Sequence, residues 1–308
     1  MTFFYRHIVL LSVLEAFGGN LTAKKFQKLL FLFVDRQSLE KPLYEFAPYL
    51  YGCFSFSANK DMVALEKNGF ITIEDCEKQE KIYSLNSAGY LSHLDLFDRE
   101  TLEKTKKRFG SMTQDELIRY VYQNYPFFAV RSKIAEQILN KDDIVKLNRY
   151  KSALEKSSPM LFTIGYEGVS LEKYITILIK NDIRVLVDVR KNAFSMKYGF
   201  SKPILSKACD AVGISYIHIP ELGIENGERQ ELKSQEDYDR LFSRYEQTTL
   251  KDNWSHLLRL REIVDSGFRV ALTCFEHDPR QCHRTRVANA LMTLPNINYS
   301  YKALLIWH

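Results

Sequence analysis

Between residues 274 and 284 the chain carries Cys274, Glu276, His277, Asp278, Arg280, Cys282, His283 and Arg284. A thiol can attack an electrophile, a histidine or carboxylate can move its proton, and an arginine fork can hold an anion. Cys274 or Cys282 is therefore the candidate nucleophile, and Glu276 or His283 the candidate acid or base. If Cys282 opens a helix, the unpaired amides of Cys282, His283 and Arg284 aim outward at an anion. The helix dipole and nearby arginines then lower the Cys282 thiol pKa. Two more runs supply groups of the same kind. Gly165-Tyr166-Glu167-Gly168 sets a phenol in a turn, and Asp188-Val189-Arg190 sets a carboxylate beside a guanidinium. On this reading Arg190 and Arg284 bind the anion, Asp188 orients Arg190, and Tyr166 completes the catalytic set.

Each group also has a plainer reading. Cys209 and Cys274 are small hydrophobes as much as thiols, Asp188 and Arg190 make an ordinary ion pair, and Tyr166 packs under its turn. Cys274, His277, Cys282 and His283 are zinc-type ligands. Adjacent Cys282 and His283 at a helix start are nevertheless expected to diverge, and Cys274 to lie inside a strand, so neither a metal nor a cofactor is expected. A Cys274–Cys282 disulfide is disfavoured in a reducing compartment. Cys274 to Arg280 also spells Cys-x5-Arg, the loop of cysteine phosphatases, and strand–Asp-Val-Arg before strand–Cys–loop–helix is reminiscent of rhodanese-like sulfurtransferases. The loop has no glycine, Glu276 and Asp278 oppose an anion, and Pro279 removes an amide donor, so both remain analogies.

Short apolar runs must position these groups. Met160–Ile164, Arg184–Val189, Ile214–Ile219 and Arg269–Phe275 read as buried parallel strands, with Ile297–Tyr301 as a fifth and helices between them. The expected fold is an α/β three-layer sandwich with a mainly parallel sheet over residues 158–308. In such sheets ligands bind outside the carboxyl ends of the strands, where Tyr166, Asp188, Arg190 and the Cys274–Arg284 run all fall.

The first part of the chain is mostly helical. Phe4–Phe17, a helix capped by Thr22 through Phe33, and a third capped by Ser57 precede strands Phe70–Asp75 and Lys81–Leu85, joined by the turn Cys76–Glu80. Helices closing on a two-strand wing predict an α+β winged helix-turn-helix over residues 1–95. Residues 96–157, with helices at Gln114–Gln123 and Arg131–Asn140, read as a helical connector.

Two family resemblances emerge. Phe46-Ala47-Pro48-Tyr49-Leu50-Tyr51-Gly52-Cys53-Phe54-Ser55, then Leu65-Glu66-Lys67-Asn68-Gly69-Phe70-Ile71, resembles bacterial winged-helix modules, with Cys53 where that pattern usually has proline. Thr163–Gly168, Val187–Arg190, Cys274, Glu276, Asp278-Pro279 and Cys282-His283-Arg284 resemble the domain-of-unknown-function 488 family. Leu222-Gly223 with Arg229 fits that family's middle motif, with Ile224 in place of a second glycine. The first resemblance implies DNA contact through Ser57, Asn59, Lys60 and Lys67. The acidic wing residues Glu74, Asp75, Glu77 and Glu80, outnumbering Lys78 and Lys81, oppose it and leave a protein-interaction module as the other reading. The second implies a fold and an active site without a reaction.

Composition bounds the rest. The chain has 308 residues, 45% hydrophobic and 26% charged, with a net charge of +5 and five cysteines. That predicts a cytoplasmic two-domain protein without a membrane partner, disulfide framework or signal peptide, and a nucleic-acid site confined to a local patch. The expected function is that of a nucleic-acid-associated protein whose α/β domain acts on a phosphate-bearing substrate, DNA being favoured over RNA as partner. The other reading is a non-enzymatic DNA-binding regulator sensing a ligand or thiol oxidation.

Overall fold

In the computed structural model, which describes residues 3–76, 80–225, 227 and 232–304, the chain parts between Ser152 and Ala153 into two units. The first begins with α1 (Tyr5–Ala16), β1 (Asn20–Thr22), α2 (Ala23–Gln37), β2 (Ala47–Tyr49), β3 (Gly52–Phe54), α3 (Phe56–Lys67), β4 (Ile71–Cys76) and β5 (Glu80–Leu85). Thr22 caps α2 by accepting the Lys25 amide at 3.2 Å, as expected. The cap of α3 is Ser55 and not Ser57. The Ser55 hydroxyl accepts the Ala58 amide at 3.2 Å, which leaves Ser57 inside the first turn.

Strands β1, β5 and β4 form an antiparallel sheet in that order, so a hairpin follows α3 at the expected place. Glu77 and Lys78 of its turn lie outside the described residues. Sequence patterning missed the β2–β3 hairpin, whose three-residue strands are too short to show a period of two. Beneath it, Lys28 is buried and its Nζ donates to the Cys53 carbonyl at 3.0 Å.

Four helices complete this unit: α4 (Leu96–Phe109), α5 (Gln114–Asn124), the single turn α6 (Ala135–Ile138) and α7 (Lys141–Leu154), whose end crosses the boundary. The expected helix at Arg131–Asn140 is reduced to that one turn, because the Ser132 hydroxyl takes the Ile134 amide and turns the chain. Helix α4 was hidden by its charges. Only Asp98, Thr101, Leu102, Thr105 and Phe109 are buried, and Asp98 binds the hydroxyl of Tyr5 and the amide of Gln37.

The second unit runs β6 (Met160–Gly165), α8 (Leu171–Lys180), β7 (Val185–Asp188), α9 (Lys202–Ala211), β8 (Ser215–His218), α10 (Gln235–Gln247), α11 (Thr249–Asp252), α12 (Trp254–Asp265), β9 (Arg269–Cys274), α13 (His283–Met292) and β10 (Ser300–Leu304). Its five strands are all parallel, in the order β10-β6-β9-β7-β8, the sheet of an α/β sandwich. Val185, Val187, Val270 and Leu272 pack on one face against Phe242, Leu260 and Val287. On the other face Tyr174 of α8 donates to the Thr273 hydroxyl at 2.7 Å. Burial on both faces explains why these strands read as continuous apolar runs. The fifth strand starts three residues later than its expected start at Ile297, after Asn296 turns in the left-handed region at φ 59°.

Register sets up the site. Gly165 pairs with Cys274, and Asp188 lies opposite both Thr273 and His218, so β6, β9, β7 and β8 end at one rim. The two loops leaving β6 and β9 touch so closely that a Cβ at residue 165 would meet the Glu276 carbonyl, its carbon 2.8 Å away. Gly223 is needed for the same reason against the Lys191 and Arg190 backbone.

Candidate active site

At the end of β7, Asp188 is fully buried and Arg190 nearly so. Arg190 Nε donates to Asp188 Oδ1 at 2.8 Å, its Nη2 to Oδ2, and its Nη1 to the Tyr166 hydroxyl at 2.6 Å. Burial disfavours the Arg190 cation, and Asp188 together with Tyr166 outweighs it, so the guanidinium pKa rises above its ordinary value. Asp188 thus orients Arg190, whose remaining N–H groups are what it has left for a ligand. The Tyr166 ring stacks on Phe200 at 4.3 Å, which fixes the phenol over the rim.

Two residues of β8 belong to this network and escaped the sequence reading. Tyr216 donates to Asp188 Oδ2, and His218 Nε2 meets the Arg190 carbonyl at 2.8 Å. Their spacing of two in a strand that ends at the same rim was the available signal.

Cys274 ends β9, buried except where it lines a cavity of about 260 Å³ together with Tyr166, Arg190, Lys191, Ser195 and His283. Its Sγ donates to Glu276 Oε2 at 3.2 Å and lies 3.7 Å from His283 Nδ1. His283 Nε2 is 2.8 Å from the Val189 carbonyl, which only accepts. Nε2 therefore carries the proton, and in the neutral ring Nδ1 turns its lone pair toward Cys274.

Cys282 behaves differently from the expectation. It is the N-cap residue of α13 but wholly buried. Burial, then a hydrogen bond to Cys274 and the negative potential of Cys274 and Glu276, push its thiol well above the ordinary value. Desolvation outweighs the helix dipole and Arg284 here. The expected divergence of Cys282 and His283 is also corrected. The sulfurs of Cys274 and Cys282 and a ring nitrogen of His283 all lie within 4.8 Å of one another.

Arg284 is fully buried, and its Nη1 and Nη2 donate to the carbonyls of Glu276 and His277 at 2.6 and 3.2 Å. It fastens the loop rather than presenting an open fork. Asp278 accepts the Arg280 amide and pairs with the Arg280 side chain, so it does not cap α13. Arg229 lies outside the described residues.

In the first unit Lys60 and Lys67 are exposed on α3, while Ser57 and Asn59 are half-buried. Asn59 Oδ1 accepts the Tyr83 hydroxyl at 3.3 Å, which commits it to β5. These four residues share a helix with the catalytic candidates of neither strand end, and each group is confined to its own unit. No helix among the described residues is long and apolar enough to cross a membrane, and all five cysteines are free thiols.

No curated protein and no solved structure matches the chain. Residues 170–291, from the cap of α8 through α13, match the model described as Domain of unknown function DUF488, and the second unit carries a domain of that family.

Proposed function

We propose that the protein is a nucleic-acid-associated enzyme of a reducing, cytoplasmic compartment. Its α/β unit acts as a hydrolase or transferase on a phosphate-bearing substrate, a nucleotide or a nucleic acid. The observation that carries this reading is the cavity shared by Cys274, His283, Tyr166, Arg190 and Lys191, which joins a thiol, a proton acceptor and two cations. Cys274 is the nucleophile, because it lines the cavity while Cys282 stays behind it. As Sγ attacks phosphorus, its proton passes to Nδ1 of His283, whose ring is held by the Val189 carbonyl. The P–O bond to the leaving group breaks and that oxygen takes up a proton. Water or an acceptor hydroxyl then displaces the sulfur, breaking the P–S bond and restoring the thiol. Lys191 and the remaining N–H groups of Arg190 hold the phosphate, with Asp188 as the positioning residue. Glu276, 3.2 Å from the sulfur, serves as the second acid or base.

The first unit supplies nucleic-acid contact. Its sheet order and the α3–hairpin succession support a winged-helix reading, with Lys60 and Lys67 as phosphate contacts. The test is to incubate full-length protein with nucleotides and with end-phosphorylated single- and double-stranded oligonucleotides. Products are separated by chromatography and Cys274 adducts sought by mass spectrometry. Turnover that disappears in Cys274→Ala supports the enzyme. DNA binding that weakens with salt and falls further in Lys60→Glu supports the first-unit contact. Turnover surviving Cys274→Ala overturns the assigned nucleophile. Binding without any turnover favours the regulator instead, and there peroxide treatment should change DNA affinity through the neighbouring Cys274 and Cys282 thiols.

A further inference from the structure

We infer that Cys274, Cys282 and His283 form a binding site for a soft or borderline divalent cation of the Zn²⁺ class. This goes beyond the proposed reaction and does not depend on it. A tetrahedral zinc ion sets its ligand sulfurs about 3.8 Å apart and a sulfur and nitrogen about 3.6 Å apart, from bond lengths of about 2.3 and 2.1 Å. Cys274 Sγ and His283 Nδ1 already stand 3.7 Å apart, and the three ligand atoms fit within 4.8 Å. The site therefore needs only small side-chain adjustments to close on an ion.

Two features point the same way. His283 gives its Nε2 proton to the Val189 carbonyl, the outer-shell bond that fixes the tautomer of metal-binding histidines and aims the other nitrogen at the ion. Glu276 accepts from Cys274 Sγ at 3.2 Å, so a carboxylate oxygen stands next to the ligand set, and Cys274 and His283 line the cavity from which an ion can enter.

Binding exchanges two thiol protons for one cation: each sulfur keeps its electron pair as the new metal–sulfur bond, and two protons are released to solvent. The ion then occupies the sulfur that the enzymatic reading uses as nucleophile. The loaded form is a resting state.

The experiment titrates reduced, metal-free full-length protein with Co²⁺, then with Zn²⁺. The expected result is a near-ultraviolet thiolate-to-cobalt band that saturates at one equivalent, disappears on adding Zn²⁺, and is unchanged in Cys76→Ser. Cys282→Ala should weaken Co²⁺ binding by at least about 100-fold, beyond the ~10–100-fold cost of outer-shell changes. In the wild type, Zn²⁺ should block alkylation of Cys274. Absence of a band in folded protein, judged by circular dichroism, overturns the proposal. So does a band that persists in both Cys282→Ala and His283→Gln. These readouts require no turnover, so their failure and that of the enzymatic reading are separate results.

Discussion

Replacing Gly165 by alanine tests whether backbone contact between two loops holds the Cys274 centre. The new methyl group would overlap the Glu276 carbonyl oxygen, with the carbonyl carbon at 2.8 Å and Arg284 Nη2 at 3.2 Å. The β9 loop must therefore retreat by about 1 Å, an overpacking that costs about 1–3 kcal/mol. The same carbonyl is the 2.6 Å acceptor of Arg284 Nη1. Disturbing a hydrogen bond to a buried charged group adds about 1.5–3 kcal/mol. A combined loss of about 2.5–6 kcal/mol lowers the melting temperature by on the order of 10 °C. Trp254 sits in α12 of the second unit and the sequence carries no tryptophan before it, so tryptophan fluorescence during denaturant unfolding does not report the first unit. Cys274 should also alkylate faster in the variant, because its neighbours Glu276 and His283 are set by the loop that moves. A loss below about 1 kcal/mol would refute the reasoning, since the loop would then absorb the methyl group without disturbing Arg284.

Two further substitutions probe buried charge. Asp188→Ala leaves the Arg190 cation buried without its carboxylate and should cost about 3–5 kcal/mol, while Asp188→Leu with Arg190→Met should cost less than either single change. A double-variant cost equal to the sum of the two single costs in denaturant unfolding would show that the pair is not coupled. Burial lowers the Lys28 amine pKa below its ordinary 10.5, so the charged form opposes folding at neutral pH. The wild type therefore gains stability as pH rises from the lowered folded value toward 10.5, above which the penalty is gone. Lys28→Met should accordingly stabilise the first unit at neutral pH, with an advantage that shrinks as pH rises; a destabilised variant, or an advantage that grows with pH, would contradict this. Far-ultraviolet dichroism with proton counting by titration distinguishes the cases.

The sequence makes the sheet legible because burial on both faces leaves near-continuous apolar runs, and four strand positions follow from Leu161, Val187, Ile217 and Leu272 and their neighbours. The same logic places Tyr166, Asp188, Arg190 and Cys274 on one rim before any coordinate is known. What sequence does not carry is desolvation. Cys282 at a helix start beside Arg284 has every local mark of an acidic thiol, yet tertiary burial and Cys274 raise its pKa. Likewise, Arg284 looks like an anion fork until its carbonyl partners are seen. Charged helices such as α4 were missed because only one stripe is buried, and the β2–β3 hairpin because its strands are three residues long.

The division of labour among the three cations at the rim follows from what each is bonded to. Arg284 holds backbone carbonyls, so it sets the path of the loop from Cys274 to Cys282. Arg190 holds Asp188 and Tyr166, so it fixes the wall opposite that loop. Lys191 pairs with Glu225 at 2.8 Å, and its side chain is 40% exposed, which makes it the cation that can exchange its partner for a ligand at small cost. The two buried arginines would lose far more by leaving their partners, since an uncompensated buried charge costs several kcal/mol. A site organised this way uses its buried charge for rigidity and leaves Lys191 and the remaining N–H groups of Arg190 lining the cavity. The thiol and imidazole are then aligned by the folded chain before any ligand arrives, whether that ligand is a phosphate or a metal ion.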